Sequence, residues 1–319
     1  MQEIKMHCDR VVEATSKVII GKENQIRLVV MGILCGGHVL LDDLPGVGKT
    51  TLVKVLSRVL GCDFSRVQFT PDLLPSDIVG VNVFNQKTGE FSMRHGPIMS
   101  HIFLADEINR AIPRTQSALL EAMEELQVTI DNQTYPLPSP FLVMATQNPV
   151  EMESTFQLPI AQMDRFLIRL SLGYPGHDEE IVMLRTVGDE LALDTVEPLL
   201  NAESISAMQH KIRDVHLDDS VLEYIVSVVE ATRSSPLLRL PAGPRGSRAL
   251  YRAGKAWAAM GGRDFVTPDD IKELVPYILP HRVRLSSEAR LAGQSTEKVI
   301  EQILEKVPSP GTKEEILRG

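Results

Sequence analysis

Near residues 3–16 the apolar positions Ile4, Val11 and Val12, followed by Val18, fall at helical spacing with charges between them. Residues 22–35 predict a second helix through Ile26, Val29, Val30, Ile33 and Leu34. The period then changes. His38-Val39-Leu40-Leu41 predicts a short buried strand, followed by a Gly-containing turn and a helix from about Lys49 to Leu60. Residues 64–69, 102–105, 141–145 and 167–172 are further apolar strand candidates, with helical stretches between them, chiefly 114–125. Strands alternating with helices predict an α/β core, a parallel sheet covered on both faces. Two segments break the alternation, 81–91 with its turn at 85–89 and 128–137 around Asp131-Asn132, and both predict β-hairpin insertions.

Gly173-Tyr174-Pro175-Gly176 punctuates the chain, and beyond it the strand signal nearly vanishes. Helices are expected at 179–190, 203–213, 220–233, 245–260, 268–274 and 297–306. Thr267-Pro268-Asp269-Asp270 is a helix start: a capping hydroxyl, proline in the first turn, then acids at the positive end of the dipole. The expected organisation is an α/β domain over 1–172 and a smaller all-α domain over 173–319, with a frayed tail from Ser309.

Composition adds two constraints. The 319 residues carry a formal net charge of -9, which disfavours duplex nucleic acid as a partner because phosphate neutralisation needs clustered Lys and Arg. The three cysteines, Cys8, Cys35 and Cys62, form no C-x-x-C pair and have no His at ligand spacing, so ordinary thiols in a reducing compartment are expected. The charged N-terminal stretch lacks an apolar signal core, and the longest apolar run, 28–41, is too short to span a bilayer. The expected location is cytoplasmic.

Candidate chemistry lies where strands end. The turn Asp43-Leu44-Pro45-Gly46-Val47-Gly48-Lys49-Thr50-Thr51 is close to the phosphate-binding pattern G-x-x-x-x-G-K-[ST], with Asp43 in place of the first glycine. Small residues let backbone N–H groups face phosphates, and the helix N-terminus adds positive potential. Lys49 would reach the β- and γ-phosphates and the Thr50 hydroxyl would ligate Mg²⁺. The apolar run ending in Asp106-Glu107 puts two carboxylates at the strand's C-terminal end, where open α/β sheets bind ligands. Asp106 suits a metal and Glu107 a hydrolytic water. Asn148 ends another strand, and Arg165 and Arg245 are candidates for charge stabilisation, although structural ion pairs account for them equally well on sequence alone.

Together these segments resemble the AAA+ ATPases, and within them the MoxR family. Residues 68–78 resemble the segment leading into that family's helix-2 insert. Residues 106–116 with Leu119-Leu120-Glu121-Ala122-Met123 resemble its extended Walker B region, and Ala145-Thr146-Gln147-Asn148-Pro149 its sensor 1. Residues 158–166 resemble the stretch carrying the arginine finger, Arg165 here. Ala242-Gly243-Pro244-Arg245 resembles the sensor 2 segment, and His281-Arg282-Val283 part of the lid. Val18-Ile19-Ile20-Gly21 resembles the segment that packs on adenine, which adds Ile20 and Gly21 to the cofactor-binding set. Ile160 stands where an acid is expected and Gly243 where serine is frequent.

The resemblance implies an AAA+ P-loop core with hairpin insertions followed by a helical lid, with ATP and Mg²⁺ as cofactors. It implies a ring, hexameric in expectation, with Arg165 acting on the neighbouring subunit's site. It also implies chaperone-like remodelling of client proteins, with a von Willebrand factor A domain partner as a family association. Two alternatives stay open: a nucleic-acid motor or chelatase-type subunit, and a nucleotide-gated interaction module with little hydrolysis.

Overall fold

A computed structural model describes residues 1–87, 89–148, 156–186 and 196–311. The chain divides into two compact units that interleave in sequence. A sheet unit comprises 7–158 and 170–207; a helical unit comprises 1–6, 159–169 and 208–319.

The chain opens with α1 (Gln2–Ser16) and α2 (Glu23–Leu34), both close to expectation. The central sheet has the order β2 (Phe64–Gln68), β5 (Ile102–Asp106), β8 (Leu142–Gln147), β1 (Val39–Asp42), β9 (Ile168–Leu170). The division between the two units falls within β9. Parallel ladders join β2 to β5, β5 to β8 and β8 to β1. Every residue of β5 is buried, as are the first five of β8, which is the mark of a strand covered on both faces. Fully burying a side chain such as Phe103 contributes about 1.5–3 kcal/mol. Helix α3 (Lys49–Val59) follows β1 and buries Leu52, Val53, Val55, Leu56 and Val59.

The expected hairpins are present. β3 (Gly80–Asn85) pairs with β4 (Glu90–His95), and β6 (Gln127–Ile130) with β7 (Gln133–Pro136). In the second hairpin the two-residue loop Asp131-Asn132 has φ of 47° and 66°, the all-positive signature of a type I′ turn, which matches strand twist. Asn82 Nδ2 donates to Asp131 Oδ2 at 2.9 Å, tying the two hairpins together. The short helix α4 (Pro75–Val79), which apolar periodicity did not predict, precedes the first hairpin, and α5 (Pro113–Glu125) the second.

Helix α6 (Ile160–Met163) lies in the helical unit; α7 (His177–Thr186) lies in the sheet unit, and the division between the two falls within α8 (Ala202–Ile212). The sequence places the helix of α7 as far as residue 190, and residues 187–190 lie outside the described ones. The core of the helical unit is α9 (Asp219–Ser234), α10 (Pro244–Met260), α11 (Pro268–Ile278) and α13 (Thr296–Lys306), with the short α12 (Ser287–Leu291) between the last two. At Gly254 an added Cβ would sit 2.8 Å from Ile271 Cδ1, so α10 and α11 pack closely there and a larger residue would require the Ile271 side chain to shift. The capping box before α11 is formed as expected, Thr267 with Asp270. Arg263 adds two bonds to the same buried Asp270, at 2.7 and 2.5 Å.

The unit is helical as expected apart from one small antiparallel ribbon, β10 (Leu238–Leu240) with β11 (Arg284–Leu285). One expectation about this region needs correction. Ser309 does not fray: it is buried and accepts from Lys272 Nζ at 3.0 Å. The remainder of the predicted tail, 312–319, lies outside the described residues.

Candidate functional site

β1 lies inside the sheet between β8 and β9, so the turn after it opens at the sheet's C-terminal edge beside the ends of β5 and β8. Gly46 and Gly48 have φ of 84° and 86°, and an added Cβ at either would meet nothing within 4 Å. Glycine is required there by backbone conformation, and the space beside both is open. Gly48 is the residue before α3, so the helix N-terminus points into the same turn.

Asp43, in the place of the first glycine, turns its side chain away from the turn. Its carboxylate accepts from Ser171 Oγ at 2.6 Å, Leu172 N at 2.5 Å and Gly173 N at 3.1 Å. It is buried, and charge-assisted bonds to backbone N–H groups offset its desolvation. Its backbone carbonyl accepts from Lys49 Nζ at 2.7 Å, holding the ammonium over the turn. Partial burial lowers the pKa of Lys49, and Asp43, Asp106, Asp42 and Glu107 oppose the shift.

At the end of β5, Asp106 is 7% exposed and both of its oxygens are engaged. Oδ1 accepts from Thr146 Oγ1 at 2.6 Å, and Oδ2 accepts from Arg66 Nη2 at 2.7 Å and Nε at 3.0 Å. Glu107 adopts the left-handed conformation, φ 57° and ψ 49°, uncommon for a residue with a side chain and often found at functional positions. Its amide donates to Thr146 Oγ1 at 2.8 Å. Its carboxylate Oε2 accepts from Gln68 Nε2 at 2.6 Å and pairs with Arg110 Nη1 at 3.0 Å.

A cavity of about 380 Å³ is lined by Pro45, Gly46, Gly48, Lys49, Thr50 and Thr51 from the turn and α3, Asp106 and Glu107 from β5, Asn148 after β8, and Arg66 and Gln68 from β2. Its size is that of a small-ligand site. The groups fit a nucleoside triphosphate with a hard divalent cation: an open glycine backbone and ammonium for phosphates, a hydroxyl and a carboxylate for the metal. Of the residues singled out from sequence, Ile20, Gly21 and Val47 are not among those lining the cavity. Gly21 lies instead against the Glu179 carboxylate at the start of α7, where an added Cβ would clash at 2.0 Å. Arg165 and Arg245 belong to the helical unit, Arg165 half-buried after α6 and Arg245 in the first turn of α10.

Sequence reasoning assigned no role to Arg66, Gln68 or Thr146. β2 pairs with β5 in a register that sets Gln68 opposite Asp106, and Arg66 points to the same face two residues earlier. The available signal was that alternation of polar residues at the end of a strand. Its use depended on knowing which strand lies beside β5.

The model for the ATPase family associated with various cellular activities (AAA) matches residues 38–168, and an AAA lid domain model matches 230–303. YeaC of Bacillus subtilis is 49% identical over 94% of this chain and 94% of its own length. The chaperone MoxR1 of Mycobacterium tuberculosis is 39% identical over 95% of this chain and 82% of its own. A crystal structure of a Cytophaga hutchinsonii protein superposes with a TM-score of 0.90 at 40% identity, covering 96% of each chain.

Proposed function

The chain belongs to the MoxR family of AAA+ ATPases, and on that premise we propose that it hydrolyses Mg²⁺-bound ATP in a ring assembly and remodels client proteins. The observation that carries the reading is the cavity itself, where the glycine turn, Lys49, Thr50, Asp106, Glu107 and Asn148 converge from three strand ends. The chaperone name of the relative MoxR1 supports the remodelling part. No helix among the described residues is long and apolar enough to cross a membrane.

In this reading Lys49 leaves its Asp43 carbonyl partner and donates to phosphate oxygens, which are stronger acceptors. Thr50 and Asp106 would hold Mg²⁺, which when bound would supply positive charge beside the phosphates. Thr146 fixes both acids by donating to Asp106 and accepting from the Glu107 amide. Glu107 orients the attacking water, and Gln68 and Arg110 set where its carboxylate waits. Asn148 contributes a buried amide beside the water. Arg165, supplied to a neighbouring subunit, and Arg245 stabilise transition-state charge; fingers of this type raise turnover by ~10³–10⁵-fold.

The test measures ATP turnover and nucleotide affinity against protein concentration for wild type, Glu107→Gln and Arg165→Ala. Specific activity is expected to rise with concentration. Both variants should bind ATP normally, with Glu107→Gln losing ~10²–10⁴-fold in turnover. Wild-type turnover in Glu107→Gln would overturn the assignment of the water-orienting acid. Activity independent of concentration and of Arg165 would mean a self-contained site.

A further inference from the structure

Arg282 is the most enclosed cation described in the helical unit. Its side chain is 3% exposed, yet the sequence placed it only in a family-like stretch without a role. It closes a short 3₁₀ turn, Pro280–Arg282, after α11. Its guanidinium is buried and joins the end of α11 to one short piece of distant chain. Nη2 donates to Phe166 O at 2.7 Å and Asp164 O at 3.4 Å, and Nη1 donates to Leu167 O at 3.3 Å and Ile278 O at 2.5 Å. Nε faces Asp164 Oδ1 at 3.0 Å. Nε2 of the neighbouring His281 lies 3.1 Å from the same Phe166 carbonyl and against Arg282 Nη1. Asp164 also faces Arg245 Nη1 from α10, at 3.9 Å.

The residue enclosed by these bonds is Arg165. The carbonyls on either side of it, Asp164 O and Phe166 O, are held by one guanidinium, and the carboxylate just before it forms an ion pair with that same guanidinium. Burying a guanidinium costs several kcal/mol unless its donors are satisfied, and here three of its hydrogen bonds go to the carbonyls of Asp164, Phe166 and Leu167, with Asp164 supplying the opposite charge. Ordinary core packing would be served by an apolar residue at less cost. A planar fork matched to backbone carbonyls fixes direction as well as position.

We propose that Arg282 and Asp164 are positioning residues for Arg165: together they lock the backbone on both sides of it so that its side chain is presented in one direction. The proposal rests on the reading of Arg165 as the arginine supplied to a neighbour's site.

The test compares wild type, Asp164→Asn, Arg165→Ala and the double variant, by turnover at saturating Mg²⁺-ATP and by the dissociation constant of a fluorescent ADP. Asp164→Asn is nearly isosteric and leaves Arg282 its four carbonyl acceptors; circular dichroism and the ADP dissociation constant check that the fold is retained. It is expected to lower kcat by ~10–100-fold, the effect of a misplaced catalytic group, with nucleotide affinity unchanged. In the Arg165→Ala background it should lower kcat no further. Arg282→Lys, which keeps the charge without the fork, should show the same pattern. Wild-type kcat in Asp164→Asn, a loss that multiplies the Arg165→Ala defect, or a parallel loss of nucleotide affinity would overturn the positioning role. Wild-type kcat in Arg165→Ala would instead overturn the finger reading on which it stands.

Discussion

Arg66–Asp106 in the sheet unit and Arg282–Asp164 in the helical unit are the same chemical pair in opposite settings. The Arg66 side chain is 43% exposed and that of Arg282 3%. Both oxygens of the Asp106 carboxylate accept from side chains, Arg66 and Thr146, and the carboxylate of the adjacent Glu107 likewise meets Gln68 and Arg110. Around Arg282 most partners are backbone carbonyls, which cannot swing away. The first arrangement can exchange partners when phosphate and metal arrive; the second is fixed by the chain itself. Burial pulls the pKa of Arg282 down to about 10 with Asp164 opposing, so the guanidinium stays charged at neutral pH. The difference separates a charge pair placed for turnover of contacts from one placed for geometry.

The most severe way to break that comparison is to remove the enclosed partner. Arg282→Met should cost ~3–5 kcal/mol of stability, because Asp164 and the carbonyls lose the donor that justified their burial. Urea unfolding followed by circular dichroism checks it; a loss within experimental scatter would mean the pair is no different from a surface one.

Acidification sharpens the comparison from the neighbouring residue. His281 is buried, and burial first, then Arg282, holds its pKa well below 6.5. The unfolded chain therefore binds a proton below pH 6.5 that the folded chain refuses. Stability contributed by neutral His281 is complete above that pH and falls as pH drops below it, by up to ~1.4 kcal/mol per unit. Melting temperatures between pH 7.5 and 5.5 should fall for wild type and fall less for His281→Gln; parallel slopes would contradict the buried neutral imidazole.

The smallest effect is expected at the open pair. Arg66→Met should change stability by less than ~1 kcal/mol, since a half-exposed ion pair contributes little. A loss as large as that of Arg282→Met, measured by the same unfolding curves, would erase the distinction.

How far the sequence carried these features depends on the distance between partners along the chain. The glycine turn, Asp106-Glu107, the capping box at Thr267 and the I′ turn at Asp131-Asn132 are legible because their physics is local. Arg66, Gln68 and Thr146 escaped notice because their meaning depends on strand order, which brings β2 and β8 to either side of β5. The β10–β11 ribbon and α6 escaped because three or four residues carry no usable period. Arg282 read as one more residue near the end of the lid, since its partners, Asp164 to Leu167, are more than a hundred positions away. The departure at Asp43 was visible at once, but its use required seeing Ser171 to Gly173 beside it.

That last residue faces two ways. The carboxylate of Asp43 is anchored to the chain just after β9, while its own carbonyl receives the ammonium of Lys49. Only the few covalent bonds of a single amino acid separate the anchor at 171–173 from the lysine's resting place. A glycine there would leave the turn equally able to curve, but with no leash.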